Sequence, residues 1–305
     1  MTVMATTWKR TKAARSWRIS ALYHLAVLSC LGTGCTKACE TSGAASTSSD
    51  RWPAPGARGT FATVCESSAL LWSEGRLLLA DNEASDVVYE VSRDLATVTP
   101  QRVGVVDDIE ALAGSASDLW VVGSQSANKD AEPRPARERI VHGGRTVRPT
   151  FDICPACEAA RALAPKKGGL NVEGAVLIGG RLWLGLRSPS QDGKSILFEL
   201  SPDGARAERM VLLDLGGEGI RDLVAVPEGT LVLSGPLDDR PSGHHLWFLD
   251  TPDGTPRRLP IELPTHTEAV AVLDTGLLWV TDGDGKPGKC RTPSAWGVDP
   301  MPPLR

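Results

Sequence analysis

The chain has 305 residues, 41% hydrophobic and 23% charged, which is enough apolar material for a packed core and too much for wholesale disorder. Its formal net charge is −4, and five basic residues (Lys9, Arg10, Lys12, Arg15 and Arg18) precede the first apolar run; without a leader ending at Gly34, 28 basic residues face 37 acidic ones. Such an acidic body excludes a nucleic-acid partner, which needs clustered Lys and Arg, and 31 Gly with 22 Pro favour short strands and turns over long helices.

The first predicted element is an export signal. The basic head is followed by an apolar stretch of about 11 residues centred on Ala21–Leu28, short of the roughly 20 that a membrane-spanning helix needs. Small residues then lead into a cysteine, which is the order of a signal peptide and resembles the bacterial lipobox. Two cysteines compete for the lipid: Cys35 after Gly32-Thr33-Gly34, and Cys30 after Val27-Leu28-Ser29. Cys35 is favoured, which makes 1–34 a lipoprotein-type signal peptide and places the protein in the periplasm or on the outer membrane, held by a lipid anchor. An ordinary cleaved signal without lipid is the alternative. Residues 35–59, rich in Ser, Thr, Ala, Gly and Pro, read as a disordered tether, leaving 60–305 as the folded domain.

Cysteine use fits an oxidising compartment. Beyond Cys30, Cys35 and Cys39, Cys65 opens the folded region and Cys290 nearly closes it; a bridge between them would staple the two ends. Cys154-Pro155-Ala156-Cys157 lacks the following His of a haem site and a second CxxC for zinc, so it reads as a local disulfide.

From Glu66 onward the chain repeats itself. An apolar-alternating strand, a turn and a second strand around Leu-Trp-Val recur five times, over 66–81, 109–124, 172–187, 220–235 and 267–282. Glu66, Glu110, Glu173, Arg221 and Glu268 stand near the starts, spaced by 44, 63, 48 and 47 residues. A further pair of strands often follows, as in 195–200 with 208–215 and 245–250 with 258–263. Four antiparallel strands per unit of about 45 to 50 residues define a propeller blade. The expected fold is therefore an all-β propeller of five four-stranded blades, or six if the long second interval hides a degenerate blade rather than a short helix around 158–164. A first strand near 60–64 would pair with the last blade and close the ring. Trp120, Trp183 and Trp279 share one repeat position and read as packing between blades.

These repeats resemble an uncharacterised bacterial family, domain of unknown function 3616. The resemblance rests on Asp108-Ile-Glu-Ala-Leu-Ala113, Leu170-Asn-Val-Glu-Gly174, Gly185-Leu-Arg-Ser-Pro189, Gly219-Ile-Arg-Asp-Leu223, Leu233-Ser-Gly-Pro236 and Asp282-Gly-Asp-Gly285. It implies a propeller and no settled activity. The chain departs from the family at Ser124-Gln125-Ser126, where a His is common, and at Thr281-Asp282, where adjacent aspartates are usual. The blade starts are also loosely similar to those of esterase-like phytase propellers, which keeps a metal-dependent phosphoesterase as the alternative to a binding propeller.

No nucleophile elbow, His-Glu-x-x-His or phosphate-cradling loop is present. Adjacent side chains on a strand point to opposite faces, so Gly243-His244-His245 reads poorly as a metal site. Asp282-Gly283-Asp284-Gly285 resembles a truncated calcium loop, with a tight turn as the plainer reading. Arg134-Pro-Ala-Arg-Glu-Arg139 reads as a solvated edge from which one Arg could reach a ligand. In a blade the start of the first strand and the end of the second share a face, which places Glu66, Glu110, Glu173, Arg221, Asp222 and Glu268 at one channel mouth. Asp81, Asn82, Ser124, Arg187, Asp282 and Asp284 join them on the rim. Glu110, Glu173, Arg187, Arg221, Asp222 and Glu268 are the expected ligand-binding residues, and Asp282 and Asp284 the candidate Ca2+ ligands.

Overall fold

A computed structural model describes residues 51–238 and 243–304. Five four-stranded antiparallel sheets form a β-propeller. The chain first lays down β1 (Arg58–Thr60) and then blade 1: β2 (Ser67–Ser73), β3 (Arg76–Asp81), β4 (Val87–Val91) and β5 (Val98–Arg102). Blade 2 is β6 (Ile109–Gly114), β7 (Leu119–Gly123), β8 (Ile140–His142) and β9 (Arg145–Val147). Between blades 2 and 3 comes α1 (Pro155–Ala160); blade 3 follows as β10 (Asn171–Ile178), β11 (Arg181–Ser188), β12 (Ser195–Leu200) and β13 (Ala207–Leu213). Blade 4 is β14 (Gly219–Val226), β15 (Gly229–Gly235), β16 (His245–Leu249) and β17 (Arg257–Arg258). Blade 5 takes β18 (Thr267–Leu273), β19 (Gly276–Thr281) and β22 (Ala295–Asp299), with a small hairpin of β20 (Asp284–Lys286) and β21 (Lys289–Thr292) inserted between them.

The ring closes through β1, which pairs antiparallel with β22 as the outer strand of blade 5. The closing strand thus lies a little before the expected 60–64. The packed region also reaches back into the stretch read as tether, because Trp52 is buried in the core between blades 5 and 1. The long second interval holds α1 and no sixth blade, since β8 and β9 already complete blade 2.

Strand alternation explains the packing. Leu77 and Leu79 face blade 5, whereas Leu78 and Ala80 on the same strand face blade 2. A strand sandwiched between two blades is apolar on both sides, so the core divides into five clusters, one at each blade junction. Trp120 and Trp183 pack across the junctions of blades 2–3 and 3–4, and Trp279 across that of blades 4–5. Tight two-residue turns keep paired strands in register. At the β10–β11 turn Gly179 and Gly180 both take positive φ, 60° and 76°, as a type I′ hairpin requires.

Two covalent links form. Cys65 and Cys290 are bonded across 225 residues of sequence, and Cys154 is bonded to Cys157 at the start of α1. No helix among the described residues is long and apolar enough to cross a membrane.

Candidate functional site at the channel mouth

The first strand of each blade, β2, β6, β10, β14 or β18, touches the first strands of the blades on either side, so these five strands wall the central channel. Over most of its length that wall is apolar. A cavity of about 90 Å³ at the far end is lined by residues such as Leu71, Trp72, Leu112, Val176 and Val224. Polar chemistry is concentrated where the inner strands begin.

Each inner strand carries a β-bulge at the same place. Pairing skips one residue between Ser67 and Ala69, Ile109 and Ala111, Val172 and Gly174, Ile220 and Asp222, and Thr267 and Ala269. A bulge inserts one residue and re-aims its side chain. The re-aimed residues are Ser68, Glu110, Glu173, Arg221 and Glu268. Four of the five are the residues singled out by the repeat. In blade 1 the equivalent position is Ser68, not Glu66. Ser68 Oγ donates to the Ile109 carbonyl at 2.5 Å, stitching blade 1 to blade 2. Glu66 lies two residues earlier, bridged to Asp282 of blade 5, with Oε1 accepting the Gly285 amide at 3.3 Å.

Glu173, Arg187, Arg221 and Glu268 form one network. Arg221 Nη1 lies 2.7 Å from Glu268 Oε2 and 3.1 Å from Glu173 Oε2, and Arg187 Nη1 lies 3.0 Å from Glu173 Oε1. Asn171 Nδ2 donates to the same Glu173 oxygen at 2.6 Å, and Arg221 Nη2 donates to the Pro236 carbonyl at 3.2 Å. Glu110 stands beside this network and forms no ion pair with a guanidinium among the described residues; Asn82 Nδ2 reaches its Oε1 at 3.5 Å. Burial pushes the Glu110 carboxyl well above the ordinary range, and the Asp108, Glu173 and Glu268 carboxyls push it further. Burial also raises Glu268, outweighing the Arg221 guanidinium that it shares with Glu173. Two carboxyls, Glu173 and Glu268, thus share the guanidiniums of Arg187 and Arg221, and Glu110 lies beside them with its pKa raised.

Asp222 does other work. Its Oδ1 accepts the Leu223 amide at 2.7 Å and its Oδ2 accepts the Val270 amide at 2.9 Å, tying blade 4 to blade 5. With both oxygens on backbone amides it is a joint between blades rather than a ligand contact, and burial raises its pKa to about 7. Asp81 is similar: it accepts amides from Cys65 and Glu83 at 2.8 and 3.0 Å. Asp282 remains on the rim, its pKa raised to about 7 by burial and then by Glu66. Asp284 belongs to the β20–β21 hairpin and accepts Arg291 Nη2 at 2.6 Å. The Asp282–Gly285 stretch thus leads into a hairpin, and among the described residues no group of three or more His, Cys, Asp or Glu is placed to hold a metal ion.

Asp108, Ser126 and His244 are not among the mouth residues expected from the sequence, although Ser124 is. Asp108 pairs with Arg137 at 3.1 Å, so one arginine of the 134–139 run does reach the mouth. Burial raises the Asp108 pKa. Ser124 and Ser126 share a 2.7 Å hydrogen bond just beside it. The two adjacent histidines point apart, as strand geometry demands: His245 Nδ1 meets Glu218 at 2.7 Å, whereas His244 is buried with neither ring nitrogen hydrogen-bonded. Burial, then Arg221, hold the His244 pKa down at about 3.

With this geometry in place, comparisons place the chain among known proteins. The family model described as protein of unknown function (DUF3616) matches residues 156–247, a stretch that includes Glu173, Arg187 and Arg221, so the resemblance holds over blade 3 and the first half of blade 4. No curated protein matches. Among solved structures, a thermostable family-43 glycoside hydrolase is similar at 13% identity and a TM-score of 0.48, covering 81% of this chain and 91% of that one. A Bacteroides ovatus protein titled xyloglucan PUL GH43B follows at 11% identity and 0.47, with 82% and 60% coverage. An exo-β-1,3-galactanase from Clostridium thermocellum stands at 12% and 0.48, with 78% and 61% coverage. The chain thus spans less than two thirds of the length of the last two. Likeness at this level assigns no activity.

Proposed function

We propose that the protein is an exported propeller of the cell envelope whose channel mouth binds a small polar ligand. One observation carries this reading. At the polar end of an apolar channel, Glu173 and Arg221 are buried within an ionic network, while Arg221 Nε and both His244 ring nitrogens are buried without partners. Burying charge is expensive and adds little stability, and unsatisfied buried polar atoms cost about 1–3 kcal/mol each. A ligand seated at the mouth would offset that cost.

The test is dialysis of the purified protein against a small-molecule extract of the producing cells, with retained molecules identified by mass spectrometry. Wild type should retain a species that Arg187→Lys, which keeps the charge and loses the fork geometry, does not, at an unchanged melting temperature. Equal retention by both, or none by either, overturns the reading.

A second reading, hydrolysis, draws on Glu110, whose pKa burial and the neighbouring carboxyls raise, standing near Glu173, which is held between two arginines. Turnover of a phosphoester panel, assayed with and without added Ca2+, separates it from simple binding. Ion-dependent turnover would favour the phosphoesterase form, with Asp282 and Asp284 as its metal ligands.

Export and lipidation concern residues outside those described. The two disulfides support an oxidising compartment. Labelling with a tagged fatty acid should mark the protein, and Cys35→Ala should abolish the mark. Loss only in Cys30→Ala would move the anchor to Cys30, and no dependence on either would leave a cleaved signal without lipid.

A further inference from the structure

The mouth sorts its charges into pairs. Arg137 lies 3.1 Å from Asp108, Arg187 3.0 Å from Glu173, and Arg221 2.7 Å from Glu268. The pairs belong to one cluster. Asp108, Glu173, Glu268 and Arg187 all act electrostatically on Glu110, Glu173 acts on Asp108, and Glu173 and Arg187 act on Glu268. Glu173 and Arg221 form the floor, each side chain only 5% exposed. Arg137, Asp108, Arg187 and Glu268 form the open surface, with side chains 27%, 15%, 16% and 16% exposed. Glu110 is half-buried beside them.

Charge within this cluster is already matched. Each of the three guanidiniums has a carboxyl, and Glu110 is the fourth carboxyl. Burial raises both Glu110 and Glu268, which favours one proton held by the two of them over a fourth negative charge. Further round the rim, burial also raises Glu66 and, with Glu66 beside it, Asp282. An anionic ligand would have to take a guanidinium from its carboxyl, and a cationic one a carboxyl from its guanidinium. Either leaves a charge poorly solvated and without its partner. A hydroxyl disturbs neither, because it donates to a carboxyl oxygen and accepts from a guanidinium N–H. Accessible donor and acceptor stand together at Arg137 and Asp108, and again at Arg187 and Glu268, near enough to act on each other.

We infer that the ligand of this mouth is uncharged and carries hydroxyls on neighbouring carbons, as a sugar or a polyol does. Its hydroxyls bridge Arg137 and Asp108 on one side and Arg187 and Glu268 on the other, beside Glu110. The assignment rests on the ligand-binding reading of the mouth and specifies its chemistry. Neighbouring hydroxyls let one guanidinium and one carboxyl hold two groups of the same molecule at once, which a lone alcohol does not offer.

The test is calorimetric titration of the full-length protein with glucose, galactose, mannose and sorbitol, and with the charged counterparts glucuronate, galacturonate, mannuronate and N-methylglucamine. At least one neutral probe should bind, and its charged counterpart should bind at least about tenfold more weakly, or roughly 1.4 kcal/mol. Asp108→Asn leaves Arg137 unmatched and should narrow or reverse the gap between a neutral sugar and its uronate. Arg137→Gln leaves Asp108 unmatched and should do the same for sorbitol and N-methylglucamine. A purely structural role for this pair would move neither preference. If charged probes bind as well as neutral ones, if both variants keep the wild-type preference, or if no neutral probe binds at about 10 mM, the assignment fails. Retention of a charged species from the cell extract would then leave the binding reading standing, whereas retention of nothing would end both. Should a variant melt far below wild type, the neutral and charged series on wild type alone decides.

Discussion

Removing the Cys65–Cys290 bond gives the sharpest quantitative expectation. The bond joins residues 225 apart in sequence, so in the unfolded chain it closes a very long loop. In the chain-entropy description a loop of that length contributes about 5 kcal/mol of stability, whereas the bond between Cys154 and Cys157, only three residues apart, contributes about 2 kcal/mol. For a domain of this size each kcal/mol moves the melting temperature by about 2 °C or more. The double variant Cys65→Ala/Cys290→Ala should therefore melt roughly 10 °C below wild type in differential scanning calorimetry, and Cys154→Ala/Cys157→Ala should fall by less than half of that. The β1–β22 pairing closes the ring without involving the bond, so the variant should still close its ring and the drop should come from the unfolded state. A shift of under about 2 °C for the first variant, or a larger shift for the second, would refute the reasoning.

Asp222, with a folded pKa raised from 3.8 to about 7, holds a proton that the unfolded state gives up; its contribution to stability is present below about pH 4 and lost as pH rises through about 7. Asp222→Asn should flatten that fall in a pH series of denaturant melts and cost about 1–3 kcal/mol, because its amide turns N–H towards a backbone N–H. His244 acts in the opposite sense: its pKa drops from 6.5 to about 3 on folding, so its contribution is lost as pH falls below about 6.5, and His244→Gln should remove that acid-side loss. Trp279 is buried between blades 4 and 5, donates Nε1–H to Asp299 at 2.7 Å and lies 5.1 Å from the Arg58 guanidinium. Trp279→Ala should cost about 3–5 kcal/mol by denaturant titration and loosen the closing strand, read as faster hydrogen exchange at Arg58–Thr60.

The blades were legible because a strand buried on both faces must be apolar at successive positions, as Leu77, Leu78 and Leu79 are. The closing strand and the helical insertion were legible in kind, though each lay a few residues from where the pattern put it. Blade 4 is weaker than its sequence suggests. Its outer strand shrinks to Arg257–Arg258, since Pro260 and Pro264 cannot donate to a ladder. The site was half legible. Four bulge residues announced themselves as charges at repeat starts, but a bulge leaves no mark in residue type, so Glu66 was aligned where Ser68 stands. Asp222 could not be told from its neighbour Arg221, because only the register shift between Ile220 and Asp222 turns one into the mouth and the other onto blade 5. His244 was hidden because its burial comes from the packing of blade 4 against the ring, which no local pattern reports.

The most direct test of the binding mouth is a crystal structure of the protein purified from its own envelope fraction without denaturation. The account predicts ordered density for a small molecule in contact with Arg187, Glu110 and Glu268, reaching Arg221 Nε and His244. Ordered water alone among those residues, with a bound molecule at the apolar end of the channel by Leu71 and Trp72, would contradict it.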